Sequence, residues 1–145
     1  MAAVRQLMGL ERGTIRVGGG ATAITYLLPP AVSEIRKKHG GLRFFIREAG
    51  SSAVAAAVLS GELDLGIVTL PITLAGADEL LRTPLVADHL RLIVPPKHAL
   101  ASKRVFRWDE LAGADVVAFE AGSAVRDVID RAAADAGASL NIVME

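Results

Sequence analysis

A chain of 145 residues with sixteen basic and sixteen acidic side chains has room for one ordinary domain or two small lobes. Hydrophobic residues at 52% and charged residues at 22% make it globular rather than disordered, and the charge balance gives no support for a general nucleic-acid surface. The lack of cysteine excludes disulfides, thiolate catalysis and cysteine-ligated metals.

Met1–Leu10 has apolar residues at Val4, Leu7, Met8 and Leu10, a short helical pattern. Arg5, Gln6 and Glu11 interrupt it, so it has no signal-peptide core. No apolar stretch is long enough to span a membrane, and the default expectation is a soluble, cytoplasmic protein. Thr14–Val17 reads as a strand, stopped by Gly18-Gly19-Gly20. Leu27, Leu28, Ala31, Val32 and Ile35 recur at helical spacing around Pro29-Pro30. Proline suits a first helical turn and breaks an interior. The helix is therefore expected to start near Pro29, after a looser turn, and to end at His39-Gly40-Gly41.

Leu42–Glu48 alternates as a strand, with Leu42, Phe44 and Ile46 on one face. Ser52–Leu59 is a helix of small residues, and Leu63–Thr69 a nearly continuous apolar strand of the kind buried in parallel sheets. The first seventy residues thus read as a βαβαβ unit with helices on both sides of the sheet. Pro71 and Gly76 mark a loop over Leu70–Glu79. Leu81–Val86 is a short extended segment and His89–Val94 a strand stopped by Pro95-Pro96. Lys97–Leu111 is irregular, with Trp108 opening a capped helical turn. Asp115–Phe119 is a buried strand, Ser123–Ala136 a helix and Asn141–Met144 a strand. The pattern restarts after about residue 86, so residues 13–86 form a first α/β lobe and residues 87–145 a second, partial one. A parallel sheet as small as the second would expose an edge, so that lobe is expected to be truncated or to need a partner.

The tetrapeptide Glu-Ala-Gly-Ser occurs at Glu48–Ser51 and again at Glu120–Ser123, each time between a strand and a helix. Such a corner offers backbone N–H groups and a hydroxyl at the positive end of a helix dipole. Each serine either caps its helix or helps to hold a small molecule. Gly18-Gly19-Gly20-Ala21-Thr22-Ala23 fits a form of the dinucleotide fingerprint. That motif needs a regular helix from its second glycine, which Pro29-Pro30 would interrupt. A small dinucleotide-dependent oxidoreductase is the alternative built on this turn.

His39, His89 and His98 share no metal-ligand spacing, so no metal is expected. Glu62 and Asp64 flank Leu63 and read as a solvated strand end rather than a catalytic pair. The cluster Arg36-Lys37-Lys38-His39 reads as a helix terminus, where cations are favoured.

Several pieces, in order and spacing, resemble one family. They are Gly13–Gly18, Leu27-Leu28-Pro29, Gly61–Val68, Val94–Leu100 and Glu120–Ser123. From about Arg12 to Glu145 the chain resembles the effector-binding domain of LysR-type transcriptional regulators. The resemblance implies an α/β fold of the type II periplasmic-binding-protein kind. It has two lobes, the second incomplete here, with a small effector in the cleft between them. It implies a ligand-sensing, dimerising domain with no enzyme activity and no cofactor. Effector contacts would fall on Thr22, Ser51 and Thr69 in the first lobe and on Gly122 and Ser123 in the second. Some relatives that bind carboxylates have arginine where Thr69 stands, and threonine argues against a strongly held aromatic or dicarboxylic acid. Residues 1–12 would be the remnant of a linker helix. No helix-turn-helix precedes Met1, so DNA contact is expected only through such a domain. A truncated regulator acting purely as an oligomerisation partner is a further alternative. In the family, the dimer pairs the helix after Pro29 with the second-lobe helix of a neighbour, here Pro29–Lys38 and Ser123–Ala136.

Overall fold

The computed structural model describes residues 12–145; the helical pattern expected over Met1–Leu10 lies outside them. The chain divides into two compact units, the first ending at Leu81 and the second running from Arg82 to Glu145.

In the first unit, β1 (Gly13–Gly19), β2 (Leu42–Glu48) and β3 (Leu65–Ile67) form a parallel sheet in the order β2-β1-β3. The register aligns Gly19 with both Glu48 and Ile67, so all three strands end at one level. The triple glycine does not stop β1, because Gly18 and Gly19 continue the ladder. Their lack of side chains serves packing. A Cβ on Gly18 would lie 3.1 Å from Val54 Cγ1, on the helix α2 (Ser51–Leu59), and 2.5 Å from Leu63 Cδ1. A Cβ on Gly19 would lie 3.0 Å from that of Ala23. Successive strand residues face opposite sides, so the two glycines admit helices on opposite faces of the sheet. Val54 is fully buried and packs with Ala57 and Leu63 as the centre of the core.

The helix after β1 begins earlier than expected. Ala21 and Thr22 are already helical, and a π-helical turn, Ala23–Leu27, runs without a break into α1 (Leu28–Lys38). A regular α-helix would call on N–H groups at 29 and 30 that proline lacks, and the rings would strike the carbonyls of Thr25 and Tyr26. The wider turn, closed by Leu28 N–H donating to the Ala23 carbonyl, admits Pro29 and Pro30 in the first turn of α1, directly after Leu28. The basic cluster Arg36, Lys37 and Lys38 fills the last turn of α1. Strand β3 is shorter than the Leu63–Thr69 run, and Leu65 is 58% exposed rather than buried.

In the second unit, β4 (Asp115–Val117) and β5 (Asn141–Met144) pair in parallel, joined through α3 (Ala124–Asp135). The strand expected over His89–Val94 is absent, and no residue between 81 and 95 is paired in a sheet. An apolar run becomes a strand only where a neighbour completes its ladder, and Ile93 stands 91% exposed. Val117 and Phe119 are likewise exposed, against the expectation of a buried strand. The turn at Trp108–Leu111 is a 3₁₀ helix, opened by Arg107 N–H donating to the Glu110 carboxylate at 2.8 Å. Leu111 is buried, and Trp108 is half-buried edge-on against Phe106.

Candidate functional site

Ligands of open parallel sheets bind beyond the carboxyl ends of the strands, where the strand order reverses. In the first unit the chain moves from β1 outward to β2 and then back across β1 to β3, so that point is the end of β1. The turns after all three strands meet there, tied by Ala49 N–H donating to the Gly19 carbonyl at 3.1 Å. Thr22, Ser51 and Thr69 occupy these three turns. Thr22 lies in the first helical turn after β1, is exposed, and makes no side-chain cap hydrogen bond. The π-helical turn follows it directly, a distortion frequent at functional sites.

Ser51 is the first residue of α2, and Gly50 is the N-cap. Of the two readings of Ser51, the helix cap therefore does not hold. Its hydroxyl instead accepts the Thr69 N–H at 3.0 Å, joining the start of α2 to the end of the β3 segment. The hydroxyl proton stays available to an acceptor. The first intrahelical bond runs from Val54 N–H to the Gly50 carbonyl, which leaves the N–H groups of Ser51, Ser52 and Ala53 at the positive helix end outside the ladder. A Cβ on Gly20 or Gly50 would meet nothing within 4 Å, so the space beside these turns is open. The corner can donate hydrogen bonds to a polar or anionic group.

The second copy of the tetrapeptide is built differently. Ser123 is the N-cap of α3, and its hydroxyl accepts the Arg126 N–H at 3.3 Å. Gly122 has φ +77°, a left-handed conformation that favours glycine. Arg126 and Glu145, which sequence reasoning passed over, pair at 2.7 Å beside this turn. Hydrogen bonds from Arg126 and from the Ala121 N–H hold the Glu145 carboxyl below its ordinary range. Gly122 and Ser123 thus both stand in the second unit, and Thr22, Ser51 and Thr69 in the first.

A second omission lies in the first unit. Arg16 in β1 grips Asp64 through Nη2 at 2.8 Å and Nε at 3.2 Å, and its N–H donates to the same carboxylate at 2.7 Å. The hydrogen bonds from Arg16 lower the Asp64 pKa. Glu62 pairs with Arg47 at 3.0 Å. Glu62 and Asp64 therefore brace the segment before β3, Glu62 to β2 and Asp64 to β1. The alternation of β1 was the available signal, since it sets Arg16 beside the start of β3. Among the described residues, no group of three histidine, aspartate or glutamate side chains could hold a metal ion.

Residues 8–145 match the model of the LysR substrate binding domain family. The chain is 28% identical over 128 residues to a probable RuBisCO transcriptional regulator of Chlorokybus atmophyticus, covering 88% of this chain and 41% of that protein. It is 29% identical over 132 residues to the uncharacterized HTH-type transcriptional regulator YbhD of Escherichia coli, covering 91% and 41%. Among solved structures, the effector binding domain of QuiR in complex with shikimate superposes with a TM-score of 0.79 at 20% identity, over 92% of this chain and 63% of that one. The C-terminal domain of a probable LysR family regulator from Rhodococcus sp. RHA1 superposes with a TM-score of 0.77 at 21% identity, over the same shares. The chain spans about two fifths of the length of the curated relatives it matches. It belongs to the LysR substrate-binding domain family, with the α/β fold of the type II periplasmic-binding-protein kind.

Proposed function

We propose that this chain is the ligand-sensing part of a LysR-type transcriptional regulator and binds a small polar or anionic metabolite. Thr22, Ser51 and Thr69 contribute from the first lobe, and the Gly122-Ser123 turn from the second. The observation that carries this reading is the Ser51 hydroxyl. It accepts the Thr69 N–H at 3.0 Å and keeps its own proton for a ligand, at a helix start whose first three N–H groups lie outside the intrahelical ladder. The known chemistry of a relative agrees in kind, since the QuiR domain holds shikimate, a hydroxylated carboxylate. The chain carries out no reaction. It contacts DNA only through a helix-turn-helix domain, works in the cytoplasm, and pairs with a second copy through the helices at Pro29–Lys38 and Ser123–Ala136.

Thermal-shift screening against small hydroxy acids, dicarboxylates and polyols, shikimate among them, identifies a ligand by a raised melting temperature. Replacing Ser51 by alanine removes a hydrogen bond to that ligand. The loss is about 1.5–3 kcal/mol for a charged acceptor, a tenfold or greater fall in affinity. A ligand that binds the folded Ser51→Ala, Ser123→Ala double variant as tightly as the wild type overturns the assignment.

A further inference from the structure

We infer that Arg126 and Glu145 are positioning residues that fix the Glu120–Ser123 turn of the second lobe. Arg126 stands in the first turn of α3, at the positive end of the helix dipole, where a cation is disfavoured. Its side chain is only 12% exposed, a rare state for arginine unless its charge is paired. The pairing is extensive. Nε donates to both oxygens of Asp130 at 2.9 and 3.0 Å. Nη1 donates to the Phe119 carbonyl at 2.9 Å and to Glu145 Oε1 at 2.7 Å. The other oxygen of Glu145 accepts the Ala121 N–H at 3.3 Å. One guanidinium thus joins the segments that follow β4 and β5 to the body of α3, and its carboxylate partner holds the turn backbone.

The two copies of the tetrapeptide explain what this pair does. In the first copy the N–H of the second residue, Ala49, donates to the backbone carbonyl of Gly19 in the neighbouring strand. In the second copy the equivalent residue is Ala121, and its acceptor is the side chain of Glu145. A charged side chain takes the place of a strand carbonyl, and Arg126 holds that side chain in place. The far side of the turn is fixed from the helix, by Ser123 N–H to the Glu120 carbonyl at 3.2 Å and Arg126 N–H to Ser123 Oγ at 3.3 Å. Without Glu145 the Ala121 N–H would lose its acceptor, and the nearest tie to β5 would be the bond from Ala118 N–H to the Met144 carbonyl at 2.9 Å.

Backbone amide exchange followed by NMR tests this in the unliganded chain. The inference rests on the proposed function only in treating this turn as one that meets the effector, and the measurement uses no effector, so either can fail alone. Glu145→Ala, at a side chain 40% exposed, is expected to speed exchange of the Ala121 amide about tenfold, as for loss of a charged acceptor. The amides of Val128–Ala133 in α3 should keep their protection. Arg126→Met should act in the same direction, and Arg126→Lys should restore part of the Ala121 protection. An Ala121 amide that exchanges at the wild-type rate in Glu145→Ala, with α3 intact, overturns the inference, whether or not Arg126→Met folds.

Discussion

Val54 is the side chain on which most of the first lobe converges. It is fully buried, and a Cβ on Gly66 would lie 2.6 Å from its Cγ1 and 3.4 Å from Val58 Cγ2. Valine is stiff about its first side-chain bond and cannot swing aside. Gly66→Ala is therefore expected to cost about 1–3 kcal/mol by overpacking. Gly18→Ala should cost a comparable amount, because its Cβ would lie 2.5 Å from Cδ1 of the buried Leu63 and 3.1 Å from Val54 Cγ1. Val54→Ala alone should cost a similar 1–3 kcal/mol for lost burial and the cavity left. Combined with Gly66→Ala, it should cost distinctly less than the sum, since the cavity receives the new methyl; urea denaturation of the four proteins measures this. The Arg16–Asp64 brace has its own signature. Asp64 titrates below its ordinary 3.8 when folded because Arg16 hydrogen-bonds its charged form. Its contribution is complete above that value and is lost as pH falls through the lowered pKa. The melting temperature of Asp64→Asn should therefore lie below that of wild type near neutral pH, with the gap closing below about pH 4. Thermal melts followed by circular dichroism read the difference directly.

Among the elements, the helix through Pro29-Pro30 tests how the chain accommodates two prolines. If they strained an α-helical interior, replacing both with alanine would stabilise the protein by roughly 3 kcal/mol or more. The π-helical turn Ala23–Leu27 ends just before them and leaves them in the first turn of α1. Pro29→Ala, Pro30→Ala should then leave stability within about 1 kcal/mol of wild type, lowered if anything by the freer unfolded chain. This helix also marks where sequence reading ends. Strand β2, helix α3 and strand β5 were legible because alternation, or apolar spacing between clear stops, sets them locally. The start of the helix after β1 was not, because the proline rule assumes α geometry. The run His89–Val94 was not, because its apolar alternation implies a strand only when a partner supplies the ladder. The two copies of Glu-Ala-Gly-Ser were visible as turns, but their different fates were not. Ser51 meets the Thr69 N–H and Ala121 meets Glu145, partners 18 and 24 residues away, and nothing inside the tetrapeptide encodes either one.

At the scale of the whole molecule, the second lobe has a two-stranded sheet, and two strands alone are marginal in water. Association with a second copy would stabilise the folded chain by mass action. The proposed contact is the helix α1, whose outer side carries a shallow groove lined by Pro29, Val32, Ser33 and Lys37, with Ile35 37% exposed on the same helix. Sedimentation equilibrium should show a dimer, and the melting temperature should rise with protein concentration. Ile35→Asp places a charge in the contact and should weaken dimerisation at least about tenfold, the 1.4 kcal/mol or more that burying an unpaired charge demands. It should also cost the monomer some stability, because Ile35 is only 37% exposed there, so the dimer constant is read under conditions where the variant is folded. Ile93→Ser is the control. Ile93 is 91% exposed on the unpaired segment of the second unit, so it should leave the dimer constant unchanged while reducing concentration-dependent aggregation. The opposite pattern, with Ile93→Ser dissociating the dimer and Ile35→Asp sparing it, would move the contact from the first-lobe helix to that segment. A monomer at all concentrations would remove dimerisation from the proposed function and leave the effector corner at Ser51 to stand on its own chemistry.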